Sequence, residues 1–461
     1  MTFFRKTYWY ASAFFKKRWK LVLGVVFVSI VLFPTVLGGL ITFLRLKKTT
    51  FIGRIGSVSL ATLPRDIQEK MSDGLTRVDE RGVVLPALAE RWSVEDGGKT
   101  YRFILKQRVS WQDGKEVKVE DIKYNFSDAQ IIPTQNEVIF KLKDAFVPFP
   151  AVVSQPVFRQ NKSRVIGTGE FRMVKIKKEG ANISEVQLES SREKLVYRFY
   201  PTESSAITAF KTGAVDVLED MTGTGGLAQW KTVKTSPVIR KDRYLAVFFN
   251  MDNPLFEKNV RQALNYALPK RGGEERATSP IHPGSWAFNK TVKTYDEDNG
   301  RAVELLLKSV PQSPINIELT TTVNFQDEAE EIKREWEAVG NDAANACKRS
   351  KELSKKVECN NFALTISLRV TNFPDLSNFQ AMVIAQQIPK DPDQYFLWHS
   401  TQSTNFMHYK SPRIDKLLED GRKEQDKDQR TAIYQDFQQF LVEDSPAIFL
   451  THPTEFTIER K

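Results

Sequence analysis

Histidine and cysteine are scarce, four and two in 461 residues. The nearest histidines, His399 and His408, stand nine positions apart and do not share a helical face; His282 and His452 are remote from them in sequence. Cys347 and Cys359 have no histidine beside them, so zinc-ligand spacing is missing and a metal site could arise only through the fold. No G-x-x-x-x-G-K-[ST] and no G-x-S-x-G occurs, which removes a P-loop and a nucleophile elbow. Gly223–Leu227 (GTGGL) lacks the strand-then-helix frame of a dinucleotide turn and reads as a loop. Asp391-Pro-Asp393 reads as a helix-capping device in a proline turn rather than an acid/base pair. Neither an enzyme nor a bound cofactor is expected.

Acidic residues are missing from the first 54 positions, which carry ten Lys/Arg. With those ten set aside, the rest of the chain balances 57 basic against 57 acidic residues. The net charge of +10 therefore belongs to the front segment, and no nucleic-acid partner is expected of the body. Within the front, Leu21–Leu44 (LVLGVVFVSIVLFPTVLGGLITFL) is 24 residues without a charge. At helical rise it spans ~36 Å, enough for a bilayer core. A signal peptide has a shorter apolar region, about 7–15 residues, ending in a small-residue cleavage site. No such site follows here and no cysteine lies nearby for lipidation, so an uncleaved transmembrane helix is expected. Six Lys/Arg precede the span and four follow it, which puts residues 1–20 in the cytoplasm and the body outside. In an exported body Cys347 and Cys359 either pair or remain free thiols.

Past the span, strand and helix patterns alternate over some 400 residues, which argues α/β architecture in more than one lobe. Thr100–Leu105 alternates as a half-buried strand, and Tyr244–Asn250 (YLAVFFN) is the strongest strand pattern in the chain. Glu120–Ala129 and Asp66–Val78 are expected to be helical, with a hairpin leading to a short helix near Trp92. In the C-terminal third, Asp327–Val339, Arg413–Asp420 and Asp428–Glu443 read as helices and Ala447–Thr451 as a strand. Trp111, Trp286 and Trp398 sit in loop-like stretches, so at least one is expected to line a pocket.

Several ordered motifs then converge. Gly74–Phe126 holds Pro86, Leu88-Ala-Glu90, Trp92, Trp111, Asp113-Gly114 and Glu120-Asp121; Ile166–Met173 (IGTGEFRM), Ala206–Glu219 (AITAFKTGAVDVLE), Tyr244–Leu268 (YLAVFFNMDNPLFEKNVRQALNYAL) and Tyr409–Leu450 follow in order. Over about residues 50–455 the chain resembles the family 5 extracellular solute-binding proteins, the peptide- and nickel-binding components of ABC importers.

The resemblance implies a two-lobe, periplasmic-binding-protein-like α/β fold (class II, with an extra subdomain) behind one transmembrane helix. It implies one lobe from residues 45–243, with a trimmed subdomain at about 85–165, completed by 445–461, and a second lobe from 244–444. It implies a monomer that captures oligopeptides by lobe closure and delivers them to ABC permease subunits. The alternatives are another small solute (nickel, a metallophore or an oligosaccharide) and a surface sensor that kept the fold. The ligand positions it implies are Tyr244, Phe249, Asn250, Ala385, Gln386, Gln387, Trp398 and His452. Peptide binders of the family pair an Asp with the peptide's α-amino group; that position falls at Ile388 here, with Ala385 or Gln386 where they carry an aromatic. Asn341–Asn361, holding both cysteines, looks like an addition, and the pair is expected to form a disulfide.

Overall fold

The computed structural model describes residues 8–9, 16–20, 24, 29, 47–161, 164–270, 272–309, 314–350 and 359–461. The expected anchor, Leu21–Leu44, lies outside them apart from Gly24 and Ser29; among the described residues no helix is long and apolar enough to cross a membrane. The chain divides into two compact units, Met1–Thr49 with Ser191–Lys194, and Thr50–Ser190 with Leu195–Lys461. The sites below belong to the second.

Three sheets organise the body. The largest has seven strands in the order Arg172–Glu179, Asn182–Glu189, Glu193–Tyr200, Lys48–Ile55, Val217–Met221, Thr454–Arg460 and Val233–Ile239. A five-stranded sheet runs Leu364–Val370, Ile315–Thr321, Ala381–Gln387, Arg243–Phe249 and Ala447–Thr451. Its first three strands are parallel and the rest antiparallel. A four-stranded antiparallel sheet is built from Ala89–Glu95, Thr100–Leu105, Glu137–Leu142 and Ala129–Pro133. The chain passes between the two larger sheets twice, at residues 240–242 and at His452-Pro453, and Arg240 N donates to Pro453 O across the two passages (2.9 Å).

The strand Arg243–Phe249 shows why the five-stranded sheet is a core. Tyr244, Ala246 and Phe248 point to one apolar cluster, with Trp398, Phe406 and Tyr409. Leu245, Val247 and Phe249 point to the other, with Phe256, Trp336 and Leu319. Period-two alternation with both sets apolar is the pattern of a strand covered on both faces.

Some expected elements take other forms. Glu120–Ala129 is not a helix: a single 3-10 turn, Val119–Asp121, gives way to extended chain. Ile122, Tyr124 and Phe126 recur every second residue, and the Tyr124 and Phe126 rings stack at 5.3 Å over Phe140. The short helix expected near Trp92 is the strand Ala89–Glu95, because Trp92 and Val94 pair across it with Phe103 and Tyr101. The helix expected over Asp66–Val78 ends at Met71. Gly74 then packs so tightly on Ser154 that a Cβ would sit 2.5 Å from its carbonyl carbon, and Thr76–Val78 is a strand. Conversely, the helix at Asp327 runs on as Gln326–Arg349. Gly340 lets the Leu364 side chain approach it, and Cys347, near its end, is bonded to Cys359 with Cα atoms 5.5 Å apart.

Candidate ligand-binding site

The strand Ala381–Gln387 outruns one of its neighbours. Its register with Ile315–Thr321 covers only Ala381–Val383, whereas its register with Arg243–Phe249 covers its whole length. Among the described residues, Ile384–Gln387 therefore has a sheet partner on one side only. The hydrogen-bond parity tells which groups face the open side. Ile388 N donates to Asp242 O (2.8 Å) and Asn250 N to Gln380 O (2.9 Å), so the even-numbered residues 380–388 bond toward Arg243–Phe249. The odd-numbered ones face the other way, as Val383 does when its carbonyl accepts from Thr321 Oγ1 (3.0 Å). Ala385 and Gln387 thus turn their N–H and C=O to the open edge. The Gln387 carbonyl accepts weakly from the Gln386 side chain (3.3 Å).

Beside this edge lies a cavity of about 580 Å³ lined by Leu376, Ile384, Gln386, Phe396, Leu397 and Phe406, among others. That size suits a small-ligand site. A smaller cavity, about 340 Å³, is lined by Trp92, Trp286, Asp391 and Arg430. Its charged pair is already satisfied, Arg430 Nη2 to Asp391 Oδ1 at 2.7 Å. The larger cavity is the candidate because it adjoins the main-chain groups of Ala385 and Gln387, which face no strand among the described residues.

The other expected site residues are placed differently. Tyr244, Phe249 and Trp398 are buried in the two clusters that sandwich the sheet, so they pack it instead of covering a ligand. Burial pushes the Tyr244 hydroxyl's pKa upward, and that hydroxyl has no hydrogen-bond partner among the described residues. Asn250 shapes a turn, donating to Phe379 O and accepting from Asp252 N. His452 is buried at the passage between sheets; its backbone N donates to Glu275 O and its Nδ1 lies 2.8 Å from Arg243 O. Burial lowers its pKa. Of the tryptophans expected in a pocket, Trp286 lines the smaller cavity, while Trp111 is buried and donates to Asp121. Leu376, Phe396 and Phe406 were not foreseen. Phe396, on the short helix Tyr395–Trp398, is 63% exposed while Trp398, two residues on, is buried.

An ion network spans the passage. Arg240 binds Asp220 (2.6 Å), Asp242 (2.9 Å) and Glu455 (2.8 Å), and Arg243 binds Glu455 (2.6 Å). Burial would raise the Asp242 carboxyl, but its hydrogen bonds to Arg240 outweigh that and hold it below the usual carboxylate range.

Residues 83–135 and 130–387 match the family model of bacterial extracellular solute-binding proteins, family 5 middle. The chain belongs to that family. The oligopeptide-binding protein AppA of Bacillus subtilis is 24% identical over 84% of this chain and 82% of its own. The structure of AppA from Bacillus subtilis in complex with a nonapeptide superposes with a TM-score of 0.68 over 90% of this chain and 95% of its own, at 21% identity. NikZ from Campylobacter jejuni in complex with Ni(L-His) gives 0.72 over 90% and 94%, also at 21% identity. These likenesses give the family 5 chain its mixed α/β, periplasmic-binding-protein-like fold.

The carboxylates that follow Ile388 in sequence, Asp391 and Asp393, are occupied. Asp393 accepts from both Arg422 Nε (2.9 and 3.1 Å) and the Tyr395 N–H, and Asp391 accepts from Arg430 and the Asp393 N–H. Burial pushes the Asp393 pKa upward, with Arg422 opposing. Ile388 itself is 5% exposed inside an apolar cluster. Among the described residues no group of three or more His, Cys, Asp or Glu could hold a metal ion.

Proposed function

We propose that the chain is the extracytoplasmic substrate-binding receptor of an ABC importer, capturing oligopeptides and delivering them to permease subunits. The observation that carries this is the open edge at Ala385 and Gln387 beside a roomy cavity. An extended peptide adds there as a further strand, its main chain bonding the edge and its side chains alternating into and out of the cavity. Likeness to AppA, an oligopeptide-binding protein, supports the reading. In this reading residues 45–243, with the subdomain at about 85–165, and residues 244–444 are two lobes. Of the segment 445–461 expected to complete the first, Thr454–Arg460 joins its seven-stranded sheet, while Ala447–Thr451 pairs in the five-stranded sheet of the second. The passages at 240–242 and His452-Pro453 are the hinge that closes the lobes. Leu21–Leu44 anchors the monomeric body to the membrane, N-terminus inside.

Recognition of the peptide N-terminus is expected to contribute little, because Ile388 offers no charge and Asp391 and Asp393 are held by arginines. A charge-assisted hydrogen bond is worth about 1.5–3 kcal/mol, more than tenfold in affinity. Calorimetric titration of one oligopeptide in free and N-acetylated forms is expected to give affinities within about threefold. A tenfold loss on acetylation would assign the ammonium to a carboxylate that the fold leaves free. The likeness to NikZ with Ni(L-His) favours a metal chelate as the second reading; binding of that chelate with no binding of any peptide would replace the first.

A further inference from the structure

We infer that the cavity beside the Ile384–Gln387 edge takes a bulky apolar side chain, aromatic or branched aliphatic, from the ligand paired to that edge. This rests on the peptide reading above and adds a specificity to it. Ile384 and Gln386 line the cavity and Ala385 does not, as alternation along a strand requires. Ala385 instead packs against the opposite cluster. A ligand strand in register with this edge alternates in the same way, so every second side chain is delivered to the cavity face.

Leu376, Ile384, Phe396, Leu397 and Phe406 form half of the lining, the polar half is Ser377, Gln386, Ser403, Thr404 and His408, and no Lys, Arg, Asp or Glu is among the described lining residues. The one titratable lining group, His408, is engaged: its Nδ1 lies 2.9 Å from Asp252, which also meets Lys410 at 3.5 Å. A charged ligand side chain would find no counter-ion in the wall and would lose water for nothing. Leu376 and Phe396 are 44% and 63% exposed. Two large apolar groups left in water on one rim gain most when an apolar side chain covers them. The volume, about 580 Å³, accommodates an aromatic ring without strain.

The test is a calorimetric titration of the full-length chain with alanine-based hexapeptides carrying Phe, Leu, Asp or Lys at one position at a time. At one or more positions, Phe and Leu are expected to bind about tenfold or more tighter than Ala, and Asp and Lys more weakly than Ala. The double variant Leu376→Ser, Phe396→Ser alters two exposed side chains, so an unchanged unfolding midpoint is the control for its fold. It is expected to lose most of the Phe-over-Ala preference, with a much smaller change for the all-alanine peptide. Equal binding of Phe and Ala peptides at every position, or a preference for Asp or Lys, would overturn the cavity assignment and leave the peptide reading standing. Failure of every peptide to bind would overturn the peptide reading, and the inference with it.

Discussion

Replacing Asp393 with alanine is expected to cost about 3–5 kcal/mol of stability, the range for removing one partner of a buried ion pair. The Asp393 and Arg422 side chains are only 8% and 17% exposed. The Arg422 guanidinium lies 3.7 Å over the Tyr395 ring and 5.1 Å from the Phe146 and Phe396 rings, so it cannot turn to water once its carboxylate is gone. The same carboxylate caps the Tyr395–Trp398 turn, and Arg422 O accepts from Val147 N at 2.7 Å. The pair thus ties the turn after Asp391-Pro-Asp393 to the helix Pro412–Lys423, which carries Arg422, and to the chain leading from the four-stranded sheet. Asp393→Asn keeps an oxygen for the cap and is expected to lose less. Urea unfolding of both variants beside the parent reads the difference; a loss under about 1 kcal/mol for the alanine variant would mean the pair is a surface-like contact.

The second large effect is expected at the disulfide. Cys347 and Cys359 are 12 residues apart. Closing a loop of that size restricts the unfolded chain by about 3 kcal/mol in the loop-entropy description. The bond also ties the end of the helix Gln326–Arg349 to the segment that enters the strand Leu364–Val370. The double variant Cys347→Ser, Cys359→Ser is therefore expected to unfold at lower urea by roughly that free energy. In the parent neither thiol should accept a label until a reductant is added. Labelling of the native, unreduced protein would show two free thiols.

Much of the framework was legible because it depends on local pattern. Tyr244–Asn250 reads as a strand from its apolar run, and the strand Ala447–Thr451 is seen at its observed ends. The use of those side chains was not legible. From Tyr244 to Phe249 the run is apolar at every position because both faces of the sheet are covered, and that same coverage draws Tyr244 and Phe249 into the two cores. Ile122, Phe126 and Ala129 stand near helical spacing, whereas Ile122, Tyr124 and Phe126 recur every second residue; the Phe140 ring that Tyr124 and Phe126 meet decides for the second pattern. A turn at Asp391-Pro-Asp393 was visible in the proline; the N-cap of the helix that follows is Gln394, and Asp393 accepts from the Tyr395 N–H. The arginine partners of Asp393 and Asp391, 29 and 39 residues further on, were not visible. The open edge at Ala385–Gln387 depends on where the neighbouring strand Ile315–Thr321 stops, which no local pattern announces; only the family resemblance pointed to those positions.

Strand addition makes a residue-by-residue claim about the protein's own amides, and hydrogen exchange at single-residue resolution tests it most directly. The full-length chain is compared with and without a saturating oligopeptide. Ala385 and Gln387 N–H face the open edge, whereas Gln386 already bonds toward Tyr244. The expected result is exchange slowed about tenfold or more at Ala385 and Gln387 on peptide binding, in line with a new main-chain hydrogen bond at each, with Gln386 unchanged. Peptide binding that leaves both Ala385 and Gln387 exchanging at their free rates would contradict strand addition at this edge.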